Sequence, residues 1–340
     1  MILNIISNQI YKDKIVGPKK VLINTLKGLD RLGIKYVFNK PINNYKYNWI
    51  HDNQRAIIEA SLLNKSVVVG PNTAILPKDL PVFRKKLTKD SIYLHPSEWT
   101  VNIWKELNFN EMRLKSWPVG IDLDSFIEIE NLENDTILVY FKMRDKNILN
   151  NVIDVLNEKK EKYILIEYGH YKEEEYKNAL NKSKFCIWIG CSESQGIGLQ
   201  EALASNIPII VLDAISLFDT MSDDSRNSYK YKFPRVLATV KTSSAPYFDE
   251  NCGIKIFKVE KLIESINYMN DNLDKFKPRE FVEKNLSIHK CTNELISHLK
   301  SLEIKENSDN NYLLLSKVLY YISLLFQTWA WKLLFRKIFR

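Results

Sequence analysis

Short apolar runs alternate with amphipathic stretches along most of the chain, and that alternation predicts an α/β protein. In the first half, strands are expected at Ile2–Ser7, Lys35–Phe38 and Val67–Gly70, with helices at Lys19–Leu32, Gln54–Leu63 and Glu98–Leu107. The pattern restarts with a strand at Thr136–Lys142 and a helix near Ile148–Glu158, then strand Tyr163–Tyr168, helix Lys172–Ser183, strand Phe185–Gly190, helix Leu199–Ser205 and strand Pro208–Leu212. These strands are nearly continuous in apolar residues, as expected where helices cover both faces of a parallel sheet.

The segment Asp122–Asp135 is rich in Glu, Asn and Asp and lacks apolar periodicity, which marks it as a linker. The expected organisation is therefore a doubly wound domain over residues 1–125 and another over 126–303. A polar linker and basic amphipathic tail would follow over 304–340. Two such domains would face each other across a cleft, with ligands at the carboxyl ends of the strands.

A length of 340 residues agrees with two domains, and 45% hydrophobic with 26% charged residues excludes disordered and collagen-like classes. Cys186, Cys191, Cys252 and Cys291 form no CxxC pair and no metal spacing against the five histidines. With no secretory pattern at the start, a reducing cytoplasm is expected. The net charge of +8 could suggest a nucleic-acid partner, but Lys317, Lys332, Arg336, Lys337 and Arg340 supply five of those charges, leaving +3 for the first 312 residues. Nucleic acid is thus not an expected partner.

The most informative segment runs from Glu193 through Ser194, Gln195, Gly196, Ile197, Gly198, Leu199 and Gln200 to Glu201, where a strand hands over to a helix. Its glycines allow close backbone approach, and the free N–H groups of a helix start can hold phosphate or sugar oxygens. Glu201, one turn inside the helix, can address a vicinal diol such as a ribose. Glu193, in the loop before it, can accept hydrogen bonds from sugar hydroxyls.

This segment resembles the E-x7-E signature of the retaining glycosyltransferases of family 4, which have the GT-B fold. The resemblance implies that Glu201 binds the donor ribose, Glu193 contacts the transferred sugar, and the amides of Gly196, Ile197, Gly198 and Leu199 support sugar and diphosphate. It extends over most of the chain before the tail. Gly17-Pro18-Lys19-Lys20 looks like the family's diphosphate-approaching loop, although that loop is usually richer in Gly. His95-Pro-Ser-Glu-Trp99 and Val119-Gly-Ile-Asp-Leu-Asp-Ser-Phe126 are similar to its structural "PS-x-W" and "G-x-D…F" elements.

Lys142, Arg144 and Lys146 follow a strand where the family places cations that clamp the diphosphate, and Lys142 and Arg144 are the preferred pair. Such cations would lower the barrier by meeting charge that develops on the leaving group. Asp122 and Asp124 form a D-x-D in the crossover turn, but two carboxylates make a thin metal site, so no metal or other cofactor is expected. His51 and His170 each follow a strand-like run; His170 is a donor-site candidate, whereas no motif assigns His51 a ligand. His289 and His298 read as helix-face residues.

From Leu313 onward, Trp329, Trp331, Phe335 and Phe339 stand among leucines with basic residues gathered at the end, a composition suited to a lipid interface. Crossing is disfavoured because the basic terminus would leave a cytoplasmic catalytic domain's side. A helix packing back on the protein is the other option. The combined expectation is a metal-independent hexosyltransferase that uses a nucleotide-diphosphate sugar and a glycan or lipid-linked acceptor. It would work at the cytoplasmic face, peripherally attached to anionic membrane through 313–340, in polysaccharide biosynthesis. An epimerase or hydrolase on the same fold, or a non-catalytic sugar-binding subunit, stays open.

Overall fold

The structure, a computed structural model, describes residues 1–80, 89–129, 134–218 and 234–302. The tail expected over 313–340, its polar linker and part of the segment Asp122–Asp135 lie outside the described residues. Among the described residues no helix is long and apolar enough to cross a membrane.

One sheet contains β1 (Ile2–Ile6), β2 (Lys35–Phe38), β3 (Tyr47–Ile50), β4 (Val68–Val69), β5 (Ile92–His95) and β6 (Arg113–Ser116), all parallel, in the order β2-β1-β3-β4-β5-β6. Its connections include α1 (Gly17–Arg31), α2 (Gln54–Leu62) and α3 (Glu98–Glu106). The α1 helix starts with Pro18 in its first turn and buries Val21, Leu22, Thr25, Gly28 and Leu29 along one face. Asn53 caps α2, its side chain accepting from the amides of Arg55 and Ala56.

The other sheet has β7 (Thr136–Lys142), β8 (Lys162–Glu167), β9 (Ser183–Gly190), β10 (Ile209–Leu212) and β11 (Gly253–Ile256), also parallel, in the order β11-β10-β9-β7-β8. Its helices are α4 (Lys146–Glu158), α5 (Glu173–Asn181), α6 (Ile197–Ala204), α7 (Leu262–Asp271) and α8 (Pro278–Leu286), with α9 (Ile288–Lys300) after them. Two cores flank it. Leu138, Tyr140, Cys186, Trp188 and Val211 pack with α5, α6 and α8 on one face. Their strand neighbours Ile137, Val139, Phe141, Ile187, Ile189 and Ile210 pack with α4 and α7 on the other. Alternate residues thus enter opposite cores, which is why β7 and β9 read as unbroken apolar runs.

The two compact units do not follow a single cut in the chain. The second comprises residues 96–106 and 118–291; the first comprises residues 1–95 and 107–117 together with the described residues from 292. Local contacts explain why 118–125 join the second unit. The Val119 amide donates to Gln195 Oε1 at 3.0 Å, the Gln195 Nε2 returns a bond to the Val119 carbonyl at 2.8 Å, and the Ile121 amide donates to Leu286 at 2.8 Å.

Expected strands and helices recur within a residue or two of their places, and His289 and His298 lie on a helix, α9, as expected; β3, β5, β6, β11, α7 and α8 were not expected. The edge strand β6, Arg-Leu-Lys-Ser, alternates half-buried and exposed positions, so it carries no apolar run. The β4 ladder is only two residues long, shorter than the apolar run that contains it.

Candidate active site

In the second sheet the strand order reverses direction between β7 and β9, and open parallel sheets bind ligands just beyond the carboxyl ends of such a pair. Lys142 ends β7 and Gly190 ends β9, so the residues that follow each strand emerge side by side. The two sequence candidates at this point meet directly. Lys142 Nζ lies 2.7 Å from Glu193 Oε1 and donates to Oε2 at 2.8 Å, with side-chain exposures of 20% and 9%. Burial alone would push the lysine amine down, but the charge and hydrogen bonding of Glu193 outweigh it and hold the amine above its ordinary range. The Tyr168 ring adds a cation–π contact, 4.4 Å from Nζ to its centroid.

The Glu193 backbone is held on both sides. Its amide donates to the Ser243 carbonyl at 2.9 Å, and its carbonyl accepts from Trp99 Nε1 at 2.9 Å. Trp99, expected to be structural, is therefore the residue that anchors the loop bearing the first carboxylate. The segment opposite is itself organised by Asp213, buried just after β10. Its carboxylate accepts from Ser243 Oγ, the Ser244 amide and the Ala214 amide, and pairs with Lys255 Nζ at 3.1 Å. Ser244 Oγ then donates to the Gly190 carbonyl at 2.9 Å, and Ser192 Oγ bonds Thr242 Oγ1 at 2.7 Å. Asp213, Ser243 and Lys255 lacked a sequence signal because they gather from three separate segments.

Arg144 is committed to the scaffold. Its Nη1 donates to the carbonyls of Gly190, at 2.9 Å, and Leu212, and its Nη2 to that of Asp213 at 3.3 Å. Burial draws its guanidinium below the ordinary value. These bonds tie the carboxyl ends of β9 and β10 to the residue after β7.

Gly196 stands at the N-cap of α6 with φ 80°, in the left-handed region, and no side chain caps this helix end. The amides of Ile197, Gly198 and Leu199 thus open the helix as backbone donors, while the Leu199 side chain itself lies in the core. Beneath them Tyr140 and Trp188 stack at 3.9 Å between centroids and 3° between planes, and Tyr176 Oη donates to the Gly198 carbonyl at 2.7 Å. A Cβ on Gly190 would lie 2.8 Å from Trp188 Nε1, and one on Gly198 would lie 3.4 Å from the far edge of the same indole. Both glycines therefore seat backbone against this aromatic floor. Glu201 is 3% exposed, in a helix buried from Leu199 to Ala204.

Other candidates fall elsewhere. His170 lies on the exposed turn after β8, with its amide bonded to Glu167. Lys146 begins α4 beyond the Asp145 cap. Gly17 opens α1 in the first unit, where an added Cβ would meet nothing within 4 Å. His51 is buried between Ser7 Oγ at Nδ1, 3.0 Å, and Asn72 Nδ2 at Nε2, 2.8 Å. Asp122 is buried and accepts from Ser125 Oγ at 2.6 Å in the crossover turn, while Asp124 is exposed. Among the described residues no group of three or more His, Cys, Asp or Glu side chains could hold a metal ion.

No family model matches the chain, and no curated protein matches it in sequence. Solved structures do match. A sucrose-phosphate synthase from Thermosynechococcus elongatus superposes with a TM-score of 0.58 at 9% identity, covering 88% of this chain and 98% of that one. HepE from Anabaena, in complex with UDP and glucose, gives 0.54 at 9% identity over 89% of this chain and all of that one. The lipopolysaccharide outer core galactosyltransferase WaaB, in its apo form, gives 0.54 at 10% identity over 87% of this chain and 99% of that one. At these identities the likeness establishes the fold, which is GT-B with two Rossmann-like parallel-sheet units.

Proposed function

We propose that the chain is a glycosyltransferase that binds a nucleotide-diphosphate sugar on its second unit and transfers the sugar, with retention, to a glycan or lipid-linked acceptor. The observation that carries this reading is the direct Lys142–Glu193 pair at the β7/β9 reversal, beside the uncapped start of α6. A cation, a sugar-directed carboxylate and a set of backbone donors converge where a parallel sheet receives ligands. Lys142 and the α6 amides would take the diphosphate, Glu193 the sugar hydroxyls and Glu201 the ribose. Arg144 would act chiefly by positioning, since it fastens the strand ends from which these groups emerge.

No protein nucleophile is assigned. The leaving phosphate would help deprotonate the acceptor on the same face, without a metal ion or other cofactor. The complex of HepE with UDP and glucose supports beginning with UDP compounds. Attachment through 313–340 to the cytoplasmic face of an anionic membrane, in the service of polysaccharide synthesis, belongs to the same proposal. No nucleic-acid partner is included.

A panel of nucleotide sugars tested by thermal stabilisation is the direct experiment. A donor at 100 times its dissociation constant should stabilise the fold by about 2.7 kcal/mol. Glu201→Gln should then weaken the best donor by about 1.5–3 kcal/mol in calorimetry, the worth of a charge-assisted bond. Absence of any stabilising nucleotide sugar, or unchanged affinity in the variant, counts against the donor site as drawn. Activity should survive EDTA, and strict manganese dependence would return Asp122 and Asp124 to consideration.

A further inference from the structure

We propose that Glu193 is a specificity-determining residue whose carboxylate selects an intact nucleotide-sugar donor over the sugar-free nucleoside diphosphate left after transfer. The inference rests on the donor site proposed above and adds a selection that it does not contain.

The argument starts from the charge at the end of β7. Lys142 is engaged by both oxygens of Glu193, at 2.7 and 2.8 Å, so the pair presents little net charge to a ligand. Arg144, the other cation expected there, is spent on the carbonyls of Gly190, Leu212 and Asp213. The Glu193 loop cannot swing clear without breaking its bonds to Ser243 and Trp99, both 2.9 Å. A diphosphate reaching for Lys142 therefore arrives beside a carboxylate carried on an anchored backbone.

The two ligands differ in what they bring to that carboxylate. In the donor the outer phosphate, esterified to the sugar and joined by an anhydride to the inner phosphate, carries about one negative charge, and the attached sugar carries hydroxyls that can donate to Glu193. Those bonds replace the one that Lys142 relinquishes, so the lysine can turn to the diphosphate without leaving the carboxylate bare. In the free diphosphate the outer phosphate is terminal, joined only through the anhydride, with roughly 1.5 to 2 negative charges at pH 7, and it brings no sugar hydroxyl there. The carboxylate then stays buried next to like charge with its lysine withdrawn, an arrangement disfavoured on both counts. Product is repelled by the same group that holds the substrate sugar.

Calorimetry on the full chain tests this with UDP, ADP and GDP against UDP-glucose, ADP-glucose and GDP-mannose. The wild type should bind one nucleotide sugar more tightly than its own diphosphate. Glu193→Gln, isosteric but uncharged, should bind that diphosphate at least about tenfold more tightly than wild type while gaining nothing for the nucleotide sugar, so that the preference inverts. Diphosphate affinity that is unchanged or weaker in the variant overturns the proposal. A wild type that binds the diphosphate more tightly than the sugar nucleotide overturns it without any variant. Should Glu193→Gln lose its near-UV dichroism, the comparison moves to Lys142→Met with and without Glu193→Gln, where removing the carboxylate should still tighten the diphosphate. If no nucleotide or nucleotide sugar binds the wild type, the donor-site reading itself has failed, an outcome distinct from a site that binds without selecting.

Discussion

His51 shows how burial sets chemistry at a single residue. With both ring nitrogens hydrogen-bonded and no exposed surface, its pKa is pushed down to about 4, burial outweighing the nearby Asp52 charge. Burial likewise lowers His95 to about 3. The unfolded chain therefore takes up these protons first as pH falls, and stability is lost below pH 6.5 through the folded values, by about 2 kcal/mol per histidine between pH 7 and 5. Glu59 has the opposite sign. Burial raises its carboxyl to about 7 despite the Ile42 amide and Lys65, so the folded state binds that proton first and gains stability as pH falls towards 4.5. Urea titrations should thus show Glu59→Gln losing about 2 kcal/mol more than wild type on going from pH 7 to 5. Parallel pH slopes for the two proteins would contradict the assignment. His51 should also keep its neutral NMR signature at pH 5.5.

At the scale of elements, the loop from β9 to α6 is held by neighbours more than by its own sequence. Asp213 organises the 242–245 segment, and that segment holds Ser192, the Glu193 amide and the Gly190 carbonyl. Asp213→Asn keeps the shape but loses the charge that faces Lys255 and the serines. It should cost about 2 kcal/mol in urea unfolding, and it should lower turnover beyond any loss of fold because the Glu193 loop loosens. Turnover equal to wild type at matched folded fraction would limit Asp213 to stability. The aromatic floor separates two glycines of similar appearance in sequence. Gly190→Ala brings Cβ to 2.8 Å from a buried indole nitrogen, an overpacking worth about 1–3 kcal/mol. Gly198→Ala meets ordinary contacts at 3.4 and 3.8 Å, and helix propensity favours Ala by up to about 1 kcal/mol, so it should be close to neutral. Thermal denaturation of the two variants side by side distinguishes these outcomes.

For the whole molecule, the two sheets repeat one plan. Counted from the first strand of each, both run second, first, third, fourth and fifth, with the reversal beside the first strand. The same covalent order therefore presents a loop pair at each reversal: Ser7 with His51 after β1 and β3, Lys142 with Glu193 after β7 and β9. The pairs differ in character. Ser7 and His51 are fully buried and hydrogen-bonded together, whereas Lys142 and Glu193 form the partly accessible ion pair on which the donor proposal rests. The proposed division of labour predicts that a chain ending at Asn311 keeps donor affinity, because the Glu193–Glu201 segment lies upstream, and loses sedimentation with anionic liposomes. Each Lys or Arg removed near the surface should account for about 1 kcal/mol of that loss. A shortened chain that still sediments would place membrane binding elsewhere.

The sequence by itself determined the α/β class, four of the five strands of the second sheet (β7 to β10) and the strand-to-helix loop that starts at Glu193, because each is written in contiguous residues. Apolar runs such as Thr136–Lys142 report a doubly covered strand, and Gly196 and Gly198 before an apolar stretch report a close-approach loop into a helix. It also placed Lys142 and Glu193 among the candidates, but as members of separate motifs. Only the tertiary structure decided that they face each other, since a parallel ladder between β7 and β9 brings together side chains 51 positions apart. Arg144, read as a clamp, turned inward because the carbonyls of three strand-end residues converge on it. Trp99 and Asp213 acquired their roles in the same way. A hydrogen bond to a distant backbone carbonyl or amide leaves no periodicity and no spacing in the chain that forms it, so it becomes visible only once the sheet is assembled.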